Sequence, residues 1–379
     1  MLKPRERMAL ALDHRNPDRV PLDFGSSITS ITVEAYENLK RHLGVSLPTR
    51  IIGKALETAE VDEEVLGLLG IDTRYLRPIL HGPLATEVLV DEGYTDEWGI
   101  RWRRSAGGRY YDIVASPLRD ADLVDLSRYR WPATHDPEAL REVKAEAKRL
   151  LEQTDYALVA DPLAPAIFEP AWYLRGLDQF LTDLVLDRAF ADRLLGNILQ
   201  HRLEFFEAFL DAVGNSVQVV VLGDDLGMQD RPLLSPSLYR EMIKPRHREL
   251  FQFIKSRTKA KIFLHSCGSI IDLIDDLLDA GVDILHPLQT TAARMEPEEL
   301  KRRFGDRLVF WGAVDIQRVL PAANDAEFEA YLQRIIGSLG RQGGFVLAPG
   351  HNIQADTSAE RIVSLFRTAM RFGEYGRDN

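Results

Sequence analysis

The chain has a single cysteine, Cys267, among 379 residues. No intrachain disulfide can form, and a lone thiol two residues from a histidine suits a reducing cytoplasm better than an oxidising compartment. Long apolar runs are missing too. None approaches the roughly 20 residues that a membrane span needs. The opening Met1-Leu2-Lys3-Pro4-Arg5-Glu6-Arg7 is charged where a secretory signal would be apolar. There is no cationic surplus: 47 Lys and Arg stand against 58 Asp and Glu, a net charge of −11, which excludes a general nucleic-acid binder. The sequence contains neither an internal repeat nor a low-complexity segment.

What is present is a regular alternation. Apolar runs at 19–25, 71–80, 156–161, 217–222, 261–265, 282–287, 308–312 and 344–348 read as strands. Runs with helical spacing lie between and beside them, at about 3–15, 33–43, 59–69, 137–153, 175–213, 235–257, 270–278, 296–304, 324–340 and 357–373. Continuous apolar strands alternating with helices indicate a parallel sheet covered on its outer face. About eight such units in one chain of this length favour an α/β fold of the (β/α)8 barrel type, a TIM barrel, with residues 1–379 as a single domain. A doubly wound open sheet is the rival architecture. Residues 81–115 differ in texture, with short strand-like pieces separated by Asp91-Glu92-Gly93 and Ala106-Gly107-Gly108. They read as a β-hairpin insertion whose apolar face carries Trp98, Trp102 and Tyr110.

Barrels place chemistry at the C-terminal ends of their strands. Those ends here carry Asp23, Asp161, Asp224, Asp225, His265, Cys267, His286, Gln289, Asp315, His351 and Asn352. A lone Asp after a strand is ordinarily a helix cap. The Asp224-Asp225 pair follows a buried strand, so at least one of its carboxylates should face the mouth and act there. In Lys261-Ile262-Phe263-Leu264-His265-Ser266-Cys267-Gly268, side chains two apart share a face if the strand stays extended. His265 and Cys267 then form two thirds of a zinc site, and His351, after the last strand, can supply the third ligand across a closed barrel. A His2Cys set leaves one tetrahedral position open, as catalytic zinc requires.

The segments NPDRVPLDF, DEWGIRW, GDDLGMQ, FLHSCGSI, DILHPLQ, VFWGAVD and APGHNIQ, in that order, resemble the uroporphyrinogen decarboxylase superfamily, in particular its cobalamin-linked methyltransferase branch. The resemblance covers nearly the whole chain. It implies a barrel that binds zinc through His265 and Cys267 plus a residue after the last strand, and that exchanges a methyl group with a corrinoid held on a partner protein. It also makes a homodimer possible. Two departures stand out. The Arg-rich N-terminal segment and second-strand Asp of the decarboxylases are replaced here by Phe24-Gly25-Ser26-Ser27 and by Arg74 and Arg77. His351 matches the decarboxylase His of GHGI and stands where many methyltransferases have Cys.

One thiolate and two neutral imidazoles leave a zinc ion at formal +1, whereas a Cys2His set leaves it neutral. The more positive ion polarises oxygen better. The expected activity is therefore transfer of a methyl group from a small methyl ether to a corrinoid. Asp224 or Asp225 would orient the ligands, and Glu169, Gln289, Trp311, Asp315 and Asn352 would line the pocket. The competing readings are a zinc-thiolate methyltransferase acting from methylcobalamin to a thiol, a metal-free decarboxylase, and a non-catalytic corrinoid or tetrapyrrole binding module. An Asp-x-His-x-x-Gly segment, the mark of a built-in corrinoid carrier, is absent, so the corrinoid should arrive on a separate protein or free.

Overall fold

The structure, a computed structural model, describes residues 1–78, 93–105 and 110–375 together with the backbone of 87–89. Seven strands form one sheet: β1 (Thr73–Leu76), β2 (Ala157–Ala160), β3 (Val219–Gly223), β4 (Lys261–His265), β5 (Ile284–His286), β6 (Val309–Val314) and β7 (Phe345–Pro349). They are neighbours in chain order and every pairing is parallel. The first apolar run closes the circuit. Leu22 bridges Leu347 in parallel, Asp23 N–H donates to Leu347 O (2.9 Å), and Asp72 N–H donates to Leu22 O (2.9 Å). Residues 21–23 thus fill the gap between β7 and β1, and the expected barrel-type architecture is present.

Strand parity sorts the side chains. Ala157 and Val159, Val219 and Val221, Phe263, Ile284, Val309 and Trp311, and Val346 and Ala348 pack into one inner cluster, which Met8 and Leu12 of the helix Pro4–Leu12 join. The intervening residues, such as Leu158, Val220, Leu222, Ile262, Leu264, Leu285 and Phe310, belong to the larger outer cluster under the helices. This is the period-2 rule of a sheet buried on both faces. It also fixes the site, because His265 follows Phe263 by two and His286 follows Ile284 by two.

The insertion is a four-stranded antiparallel sheet (Glu87–Leu89, Gly93–Thr95, Arg101–Arg104, Tyr111–Ala115) rather than a single hairpin. Gly93, expected in a turn, begins a strand. The expected turn at 106–108 and the segment 79–86 lie outside the described residues. Of the expected apolar face, Trp102 stacks on Tyr94 (6.1 Å between ring centres), whereas Trp98 turns away to His201 (4.7 Å) and Trp131 (6.1 Å). Among the described residues, no helix is long and apolar enough to cross a membrane.

Candidate metal centre

β4 and β5 pair in register, His265 against His286, so the two inward imidazoles lie side by side, Nδ1 to Nδ1 at 2.8 Å. The strand ends at His265, yet Cys267 still returns to the same point, with Sγ 3.5 Å from His265 Nε2. Three contacts hold it there. Cys267 N–H donates to Asp225 Oδ1 (2.8 Å), Gly268 N–H donates to Gln289 Oε1 (2.8 Å), and Ser269 N–H donates to Met228 O (2.7 Å). The last contact needs glycine on both sides. A Cβ on Gly268, whose φ is +87°, would stand 2.6 Å from the Gly227 carbonyl carbon, and one on Gly227 would stand 2.5 Å from Cys267 O.

His351 arrives from β7. Gly350 N–H donates to Val314 O (2.8 Å). Asn352 pins the loop: its Oδ1 accepts Ser30 N–H (2.8 Å), and its Nδ2 donates to Ser27 O and Thr58 Oγ1 (3.0 Å each). The His351 ring lies 5.5 Å from that of His265, centre to centre. Ligand atoms of His265, Cys267 and His351 all fall within 4.8 Å of one another. Tetrahedral ligands of a zinc ion lie about 3.3–3.7 Å apart, given bond lengths of about 2.0–2.3 Å. The His265–Cys267 pair already has that spacing, and His351 offers its ligand atom within 4.8 Å of both.

The electrostatics suit a cation. Burial holds His265 below its ordinary value and pulls His351 down to about 4, so both imidazoles are in the neutral, ligating form. Burial pushes the Cys267 thiol well up, and the Asp225 and Glu169 carboxylates push it further. Without a nearby positive charge Cys267 stays a thiol; a metal ion would supply the charge that makes it a thiolate.

The adjacent carboxylates Asp224 and Asp225 do different things. Asp224 is fully buried and faces away from the ligands. It accepts the N–H groups of Ile167, Phe168 and Glu169 at the start of the helix Phe168–Arg175 (2.8 Å each) and lies 2.7 Å from His247 Nε2. That is an anionic helix cap. Asp225 stands beside this His265–Cys267–His351 cluster, 3.5 Å from His265 Nε2. Glu169 lies behind them, bonded to Tyr173 OH (2.8 Å). Burial, with Asp225 and Asp224 nearby, raises its acid well above the carboxylate range.

A cavity of about 580 Å³ opens beside the centre. Cys267 and His351 line it, as do Gln289, Asp315 and Asn352 of the expected pocket residues. Trp311 does not reach it. It is buried, donating Nε1–H to Asp23 (2.8 Å), a carboxylate that also takes Thr29 (2.8 Å) and Thr73 (2.6 Å) hydroxyls. The charged groups among the described lining residues, Asp315 and Asp356, are both acidic. Arg74 and Arg77 are spent elsewhere, Arg74 on Glu63 (2.7 Å) and against Tyr156, Arg77 on Asp161 (3.0 Å).

A family model described as Uroporphyrinogen decarboxylase (URO-D) matches residues 112–372. The chain belongs to that family. Among solved structures, a methyltransferase from Methanosarcina mazei matches with a TM-score of 0.64 at 18% identity, covering 98% of this chain and 99% of its own. At that identity the likeness is one of fold, and it spans nearly the whole length of both chains. A GH113 β-1,4-mannanase (TM-score 0.40, 12% identity, 92% of this chain and 98% of its own) also matches, too weakly to carry an argument. No curated protein matches significantly.

The sequence pattern placed His286 at a strand end without giving it a role, and it did not single out Tyr173. A histidine closing an inward strand series beside another such series was a visible signal for His286. Tyr173, one helical turn after Glu169, was a weaker one.

Proposed function

We propose that this chain is a zinc-dependent methyltransferase that takes a methyl group from a small methyl ether and passes it to a corrinoid, carried on a partner protein or free. The observation that carries the reading is the convergence of His265, Cys267 and His351 beside the cavity. His265, Cys267 and His351 would hold the ion. When bound, zinc supplies a Lewis acid at the ether oxygen, which makes the departing alkoxide a better leaving group.

The chain's own groups do the rest. Asp225 fixes the Cys267 backbone and, being anionic, favours a cation at the ligands. Gln289 holds Gly268 and so the turn that aims Sγ. Leu56, Pro287, Leu288, Val314 and Ile316 give the cavity an apolar wall suited to the uncharged part of a methyl ether, and Gln317 and Gln354 offer neutral polar groups. Asp224 acts through the scaffold, by fixing the start of the helix that carries Glu169.

A decarboxylase of acidic tetrapyrroles fits less well, since substrate carboxylates would meet Asp315 and Asp356 and no Lys or Arg among the described lining residues. The test is to supply zinc-loaded protein with cob(I)alamin and a series of methyl ethers and to follow methylcobalamin by absorbance. Formation of methylcobalamin from an ether is expected. No transfer from any ether, together with rapid methylation of a thiol from methylcobalamin, would overturn the assignment in favour of a thiol methyltransferase.

A further inference from the structure

His286 is completely buried at the end of β5 and is not among the metal-ligating residues, yet the fold makes specific room for it. Phe263 stacks on one side of its ring (5.2 Å, 25° between planes). On another side stands Gly312 of β6, where a Cβ would come within 2.9 Å of His286 Cδ2 and 3.2 Å of Nε2. Both ring nitrogens are engaged. Nδ1 meets His265 Nδ1 at 2.8 Å, and Nε2 faces the carbonyl oxygen of Pro349 at 3.4 Å.

The protons in this chain can be placed by elimination. Two nitrogens 2.8 Å apart share one proton, because two N–H groups would collide and two lone pairs would repel. The direction of that bond is set at the far end. A carbonyl oxygen only accepts, so His286 donates Nε2–H to Pro349 O. Neutral imidazole carries one proton, so His286 Nδ1 is bare and accepts from His265. His265 is then protonated on Nδ1, which leaves the lone pair of Nε2 free on the side where Cys267 Sγ lies 3.5 Å away.

We infer that His286 is a positioning residue that holds His265 in the Nδ1–H tautomer and so presents Nε2 to a metal. The relay runs from Pro349 through His286 to His265, and Pro349 lies two residues before His351 on the same chain end. The backbone that carries the third ligand therefore also orients the first, and β4, β5 and β7 are tied into one donor set. The inference rests on the metal reading above but goes beyond it, because the tautomers are a property of the metal-free protein.

Two measurements test it. In the unsubstituted, metal-free protein above pH 7, imidazole 15N NMR should show His265 protonated on Nδ1 and His286 on Nε2; the reverse pattern would overturn the inference whether or not the protein binds zinc. For zinc, competition against a chelating dye should show His286→Leu binding about 10–100-fold more weakly, the usual effect of removing such a partner. His286→Asn, whose amide oxygen can accept the His265 Nδ1–H, should recover most of that loss. Unchanged affinity in His286→Leu, or equal loss in both variants at equal stability, would contradict it. If His286→Leu does not fold, the NMR result decides, and failure of the unsubstituted protein to bind zinc would count against the proposed function alone.

Discussion

Replacing Gly312 by alanine should destabilise the protein mainly through His286, and a double-mutant cycle can isolate that route. The added Cβ would stand 2.9 Å from His286 Cδ2, 3.2 Å from Nε2 and 3.6 Å from Pro349 O. Carbon–carbon contacts are comfortable at about 3.5–4.0 Å, so the ring must retreat by about half an ångström or more. It has little space to do so, held by Phe263 and bonded to His265. Overpacking of this kind costs about 1–3 kcal/mol. The backbone adds its own penalty, since Gly312 has φ +102° and a side chain there costs about 1–2 kcal/mol. The expected loss is about 2–5 kcal/mol, read from urea denaturation of the metal-free protein. In a His286→Ala background the ring is gone, so the overlap vanishes while the backbone strain remains. The cost of Gly312→Ala should shrink there by about 1–3 kcal/mol, the part attributable to overlap. Additivity to within about 0.5 kcal/mol would refute the view that Gly312 is small in order to seat His286.

Other consequences follow from groups outside the donor set. His201 is buried against Trp98 and Trp131, and its Nδ1 has no partner. Burial, aided by the charge of Arg202, lowers its pKa to about 4. Above pH 6.5 the ring is neutral in both folded and unfolded chains. As pH falls through 6.5 the unfolded chain takes a proton that the folded one refuses, so stability drops until about pH 4, by as much as about 3 kcal/mol at 1.36 kcal/mol per pH unit. His201→Phe should remove that share of the acid-side decline; parallel stability curves for the two proteins from pH 7.5 to 4 would contradict it. Asp224→Asn leaves an amide where three backbone N–H groups and His247 meet a carboxylate. It should cost about 3–5 kcal/mol in chemical denaturation, and a loss under 1 kcal/mol would show that the cap is dispensable.

The barrel was legible because its strands are buried on both faces and read as unbroken apolar runs. The inner and outer sets then differ only by parity, which places Phe263 and His265 together without any structure. The His265–Cys267 proximity was legible for the same reason, although the strand ends at His265 and it is the Gly227–Gly268 contact that returns the thiol. Other features depend on register between distant segments. Trp311 reads as pocket-lining until its indole is found bonded to Asp23, 288 residues earlier. Asp224 and Asp225 are equivalent in sequence, but neighbours on an extended chain face opposite ways, so one caps a helix and the other stands beside His265 and Cys267. The relay through His286 needs the pairing of β4 with β5 and a carbonyl 63 residues away. Gly93 reads as a turn because glycine usually marks one; pairing with Arg103 places it in a strand.

The central claim is that two imidazoles and a thiolate converge on one cation. Metal analysis of protein purified without chelators tests it most directly, alongside His265→Ala, Cys267→Ala and His351→Ala. The account predicts about one zinc per unsubstituted chain and loss of most of it in each variant, with the fold retained by circular dichroism. A metal-free unsubstituted protein that takes up no zinc on titration, or variants that keep their zinc, would contradict it.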